Sequence, residues 1–334
     1  MSKAKTELDF VKAIGQLGEP AETQIIVDAA RDFWIIWPQI RETDQQTGRS
    51  VAETNVRTAL SLINLFDGDK ELDHERLLLA AVTKNVEWRR VTGSVDENSS
   101  EFHLARKQAN VKTLEFSASA KHIFNLAKDL TAVKRDILLS ATHWEDDSEH
   151  TLSTALISWK FAKQFAPELD MAEVLKMALV HELAETITGD ISSFALNEKQ
   201  LRAKKVRDAT AAKQLAQKFR DCPKLVAKFL QYESKASREA RFVYWVDKIL
   251  PVFSKYQPDE RKHSFAPVEE IYELNGVSQI GRNFNHETIT AYGKNVRNKL
   301  LGAGAVPHSI CEKLLAQELM WLHWLNDVHE RSEI

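Results

Sequence analysis

The chain has 334 residues, 43% of them hydrophobic and 28% charged, which is too apolar for a disordered chain and enough for one large helical domain or two modest ones. Lys plus Arg total 45 against 48 Asp plus Glu, and the net charge of -3 gives no global attraction to nucleic acid or an anionic membrane. Any anionic ligand must therefore be gripped locally. Cys222 and Cys311 form no CxxC pair, so they read as buried reduced thiols rather than a disulfide framework or a thiolate metal site. The polar amino terminus, and the lack of any run near the ~20 apolar residues of a membrane span, set the expectation of a cytoplasmic protein.

With only 11 Gly and 8 Pro to interrupt it, the chain reads as all-α. Helices are expected around Ala21–Ile40, Val51–Phe66 and His74–Arg90, with the β-forming cluster Phe33–Ile36 read as buried helix. Polar, turn-rich stretches at Glu42–Ser50, Thr92–Ser100 and Lys255–Ser264 divide the chain. The amino-terminal third carries no pattern that reads as chemistry.

The central block does. The acidic run Glu145-Asp146-Asp147-Ser148-Glu149 precedes His150, which opens a helix whose apolar residues Leu152, Leu156, Trp159, Ala162 and Phe165 recur near the helical period. Asp170 and Glu173 then resemble a capping box, Leu175, Ala178 and Leu179 form an apolar stripe, and Gly189-Asp190 ends the helix. Within it sits His181-Glu182-Leu183-Ala184-Glu185, where the four-residue spacing places His181 and Glu185 on one face. Helix-borne acids facing a core need partners, because an unpaired buried carboxylate costs several kcal/mol, roughly, or is forced neutral. A divalent cation is one such partner.

Downstream, Glu239–Phe253 reads as an apolar helix whose core-facing stripe of Ala240, Val243 and Leu250 includes Asp247. Asp247 has Lys248 and Arg241 as alternative partners. A carboxy-terminal helix is expected at Leu314–Leu325. Taken singly these residues are ambiguous, since most histidines serve as surface or satisfied core groups.

In this order and context, however, Ser148-Glu149-His150, Leu175–Glu185, Ile187-Thr188-Gly189-Asp190-Ile191 and Glu239–Val243 with Asp247-Lys248 resemble the HD-domain superfamily, especially the bacterial 5'-deoxynucleotidases and their eukaryotic relatives. The resemblance covers about a third of the chain. It implies an HD helical core at 106–256, flanked by helical regions at 1–105 and 257–334. It implies one divalent cation (Mn, Co, Fe, Ni or Zn) on His150, His181, Glu182 and Asp247, with Glu185 and Asp190 as catalytic acids or bases. Arg135, fifteen positions before His150, matches an arginine facing the substrate phosphate, its alternative being a solvated helix charge. A nucleotide substrate and a homodimer are further implications, without membrane or nucleic-acid partners.

Two departures stand out. The usual ligand pair is His-Asp, whereas this chain has His181-Glu182, and a tryptophan normally follows the arginine where Asp136 stands here. Altered metal preference, weakened activity or a purely binding role stay open, as does the sugar preference. No histidine lies between His181 and His263, which argues against a two-iron oxygenase site. Hydrolysis of 5'-(deoxy)nucleoside monophosphates is the leading expectation, with a triphosphohydrolase or a non-catalytic nucleotide- or metal-binding protein as alternatives. Trp144, close to His150, is a residue that could flank a base.

Overall fold

A computed structural model describes residues 32–33, 35–44, 48–86, 118–140, 143–191, 198–254, 256–259 and 264–267. Helices dominate among them and the strands are short and few, so the class is all-α as read. Cys311, the turn at Thr92–Ser100 and the carboxy-terminal helix expectation fall outside the described residues.

Residues 32–33 and 35–40 are helical and bury Phe33, Ile36, Trp37 and Ile40, as expected for that cluster. The turn-rich stretch after them forms a two-residue antiparallel ladder, β1 (Thr43–Asp44) with β2 (Arg49–Ser50). Ser50 then caps α1 (Val51–Phe66), its Oγ accepting from Glu53 N at 3.1 Å. Helix α2 (His74–Val82) starts on the Asp73 cap and stops well short of Arg90. Thr83 bends its hydroxyl back onto the Leu79 carbonyl at 2.7 Å, and Asn85 takes a left-handed φ of 62°, a conformation that no helix can continue through.

Helix α3 (Ala118–Ala132) leads into a hairpin that periodicity did not anticipate, β3 (Lys134–Ser140) against β4 (His143–Asp146). Its register shifts twice, between Lys134 and Leu138 and again before Ser140, which destroys the alternation a regular strand would display. Arg135 therefore sits on a strand, not on a helix surface.

Helix α4 (Asp147–Phe165) begins on a complete capping box. Asp146 accepts from Ser148 N and Glu149 N, and Glu149 accepts from Asp146 N at 3.1 Å while also meeting His143 Nε2 at 2.9 Å. Helix α5 (Met171–Val180) is capped by Asp170, but its Glu173 turns away to Lys176 and Lys228, so only half of the expected box forms.

The expected continuous helix through Glu185 breaks at His181. Leu183 N bonds Val180 O and Glu185 N bonds Glu182 O, both three residues back, before the short α6 (Glu185–Thr188) ends at Gly189 with φ 69°. Tighter turns of about three residues rotate position 185 off the face of position 181. Helices α7 (Glu198–Lys218), α8 (Pro223–Ser234) and α9 (Arg238–Ser254) follow, and the β5–β6 hairpin (Tyr256–Asp259 with Ser264–Pro267) occupies the expected turn region.

One buried apolar cluster runs from Phe33 to Leu250 and includes residues of α1 and α2, so the amino-terminal helices share the core of the central block. Helix α4 packs on α5, α9, α1 and α3. Trp245 of α9 lies with Phe161 of α4 and Phe242 at 5.7 Å between ring centroids, which clamps the two helices that carry Asp247 and His150. A second clamp is ionic: Lys176 bonds Asp67 at 2.6 Å and Glu173 at 2.8 Å, with Lys228 on Glu173 at 2.6 Å, linking the end of α1 to α5 and α8. Burial disfavours the Asp67 charge, but the Lys176 hydrogen bond overrides it and lowers that carboxyl's pKa.

The capping box fixes where α4 starts and hence where His150 points. Asp146→Ala should cost about 1–2 kcal/mol and lower the thermal unfolding midpoint by about 2–4 °C per kcal/mol; an unchanged midpoint in calorimetry would show that the box contributes nothing.

Candidate metal centre

His150 lies in the first turn of α4, His181 and Glu182 in the tight turn after α5, and Asp247 in mid-α9. One donor atom from each lies within 4.8 Å of the others. All four residues are at most 6% exposed. The clamps just described explain the convergence: α4 and α9 are locked through Trp245, and α5 packs against both.

His181 Nδ1 donates to the Ala178 carbonyl at 2.6 Å, which places the imidazole proton on that side and turns the Nε2 lone pair inward. That Nε2 stands 3.2 Å from Glu182 Oε1 yet is buried with no hydrogen-bond partner. With no proton correctly placed between the two atoms, the inward Nε2 is left without a donor. His150 Nε2 faces Asp247 Oδ1 at 3.1 Å and Glu182 Oε1 at 3.4 Å, while its Nδ1 is 3.5 Å from Glu145 Oε2. Burial and Arg135 push the His150 pKa down, but Glu145 and Asp247 outweigh them and raise it to about 9. A proton there partly fills the role a cation would take. The donor set of two imidazoles and two carboxylates, each with a second anchor, fits a single divalent ion.

Asp247 does pair with Lys248, through Oδ2 at 2.6 Å, leaving Oδ1 for the centre. Arg241 instead donates to the Lys235 and Ala236 carbonyls. Burial opposes both ligand charges. Even so, Lys248 and His150 keep the Asp247 carboxyl well below its usual range, and His181 and Arg135 do the same for Glu182.

Beside this centre lies a second group, Asp147, Glu182 and Glu185. Glu185 thus joins the outer side of Glu182 rather than the His181 face, a consequence of the broken helix. Its Oε2 is sealed from solvent and unbonded. Burial, then the charges of Glu182, Asp190 and Asp147, push the Glu185 carboxyl well above the usual range. Asp190, half-buried after the Gly189 turn, acts on both Glu185 and Arg135 through space.

Arg135 is buried, with Nη1 on Glu182 Oε1 at 2.9 Å and Asp147 Oδ1 at 3.3 Å; its Nε is 3.2 Å from Glu145 Oε2 but outside hydrogen-bond geometry. Trp144 is half-buried on β4 opposite Leu138. Sequence reasoning did not single out Asp147 and Glu145. The signal existed for Asp147: the Asp146-x-x-Glu149 box assigns capping to Asp146 and leaves Asp147 without that duty. Tyr232, whose ring meets His181 edge-on at 5.9 Å, gave no signal at all.

Residues 127–281 match the family described as HD domain, and the chain resembles the HD-type metal-dependent phosphohydrolases over that segment. It is similar to the human 5'-deoxynucleotidase HDDC2, 28% identical over 147 residues that make up 42% of this chain and 69% of that protein. A crystal structure of a predicted metal-dependent phosphohydrolase from Magnetospirillum magnetotacticum MS-1 aligns at 18% identity, over 64% of this chain and 95% of that one, with a TM-score of 0.39. Among the described residues no helix is long and apolar enough to cross a membrane.

Mn or Co added to chelator-stripped protein should raise the unfolding midpoint, with about 2.7 kcal/mol of stabilisation at a cation concentration 100 times Kd. Asp247→Asn should abolish most of that gain. Equal stabilisation of both proteins would place the cation elsewhere.

Proposed function

We propose that the chain hydrolyses 5'-(deoxy)nucleoside monophosphates to nucleoside and phosphate. The observation that carries this reading is the four-donor cluster set directly beside a second carboxyl, Glu185, whose pKa is pushed well up, with Glu182 common to both groups.

A cation held by His150, His181, Glu182 and Asp247 would act as a Lewis acid on a phosphoryl oxygen and lower the pKa of a water. The remaining work falls to the protein. Ala178 O and Glu145 hold the two imidazoles so that both Nε2 atoms face inward, and Lys248 fixes the Asp247 carboxylate. Glu185, with its raised pKa, is suited to give a proton to the leaving 5'-oxygen; ionised after that step, it can accept one from water. Asp190 supports the raised pKa of Glu185 through its charge. Arg135 offers a guanidinium edge to the phosphate, which is the role a planar fork performs best. The one-methylene-longer Glu182 reaches both His181 and Arg135, which supports a role for Glu in the position of the usual Asp.

The test is a panel of nucleoside mono- and triphosphates with stripped protein and Mn, Co, Mg or Zn. Metal-dependent phosphate release from monophosphates is expected. Glu185→Gln should lower kcat by about 10²–10⁴-fold without loss of bound metal. Tripolyphosphate from triphosphates would move the reading to a triphosphohydrolase, and nucleotide binding without turnover would contradict catalysis.

A further inference from the structure

Asp147 is the first residue of α4, yet it does not cap the helix. Asp146 takes the backbone amides of Ser148 and Glu149, while Asp147 is 0% exposed and its carboxylate is directed inward. There its Oδ1 accepts from Arg135 Nη1 at 3.3 Å, beside the 2.9 Å bond from the same nitrogen to Glu182 Oε1. The other oxygen, Oδ2, is buried without a hydrogen-bond partner. A residue there purely for helix stability would face solvent and the amide ends.

These contacts hold the guanidinium at Nη1. Nη1 is divided between Asp147 and Glu182, and Nε lies against Glu145. Nη2 makes no hydrogen bond or ion pair among the described residues. Arg135 also stands within the field of Asp190, on the Glu185 side of the site. Nη2 is therefore the guanidinium nitrogen left to meet a ligand.

We infer that Asp147 is a positioning residue for substrate binding: by holding Arg135 Nη1 against Glu182 it presents Nη2 to a phosphoryl oxygen. Its contribution is an acceptor of fixed position, so an amide oxygen at the same place should serve. The inference rests on the phosphohydrolase reading above, in which Arg135 meets the phosphate. Glu182 belongs to the metal centre and cannot leave it, and Asp147 supplies the second point that a planar group needs to fix its orientation.

The test uses the full chain loaded with Mn and deoxyadenosine 5'-monophosphate as the substrate. Asp147→Ala should raise KM about tenfold while kcat changes less than threefold, and Asp147→Asn should return KM to within about twofold of the parent protein. In an Arg135→Ala background, Asp147→Ala should add no further change, because residues acting through one another are non-additive. Bound Mn per chain and the unfolding midpoint should stay at parent values. An unchanged KM in Asp147→Ala, a fully additive double variant, a loss of Mn, or Asp147→Asn as impaired as Asp147→Ala would each overturn the inference. If the parent protein itself shows no turnover or binding of the monophosphate, the phosphohydrolase reading fails instead.

Discussion

Glu182 Oε1 is the point on which the site depends. That single oxygen stands 3.2 Å from His181 Nε2, 3.4 Å from His150 Nε2 and 2.9 Å from Arg135 Nη1, in a region closed to solvent. Burying a carboxylate is unfavourable by several kcal/mol, roughly, unless positive charge comes with it. Arg135 provides part of that charge and the histidine-lined centre is shaped to take the rest. The helical scaffold exists around this constraint: α4, α5 and α9 each bring a ligand, and Trp245 with its aromatic neighbours keeps them from separating.

The two acid groups flanking Glu182 divide the work by environment. On the inner side, Asp247 and Glu182 remain ionised because Lys248, Arg135 and the histidines outweigh burial. On the outer side, burial together with neighbouring charge pushes the Glu185 and Asp147 carboxyls well above their usual range. Carboxyl groups a few ångströms apart thus have pKa values pushed in opposite directions, the pattern expected of acid–base chemistry near neutral pH.

Much of this was legible beforehand. The period of the apolar residues located α1, α4 and α9 to within a few residues, and the stripe of Ala240, Val243 and Leu250 correctly turned Asp247 inward. The four candidate ligands converge as their order suggested. What escaped detection depended on tertiary context. The β3–β4 hairpin is irregular and leaves no alternating pattern, so a solvated helix charge stayed open as the alternative for Arg135. The break at His181 arises from three-residue hydrogen bonds that no residue type announces, and it moved Glu185 to the far side of Glu182. Asp147 was hidden within an acidic run whose members look alike until the cap is assigned. The expectations at 1–31, Thr92–Ser100 and 268–334 fall outside the described residues.

The His150, His181, Glu182 and Asp247 cluster has the donors and the burial of a built cation site. Crystals grown with cobalt and measured at its absorption edge test it most directly. The account predicts one strong anomalous peak per chain about 2.0–2.2 Å from His150 Nε2, His181 Nε2 and one oxygen each of Glu182 and Asp247. A peak held by other residues, or none at saturating cobalt, would contradict it.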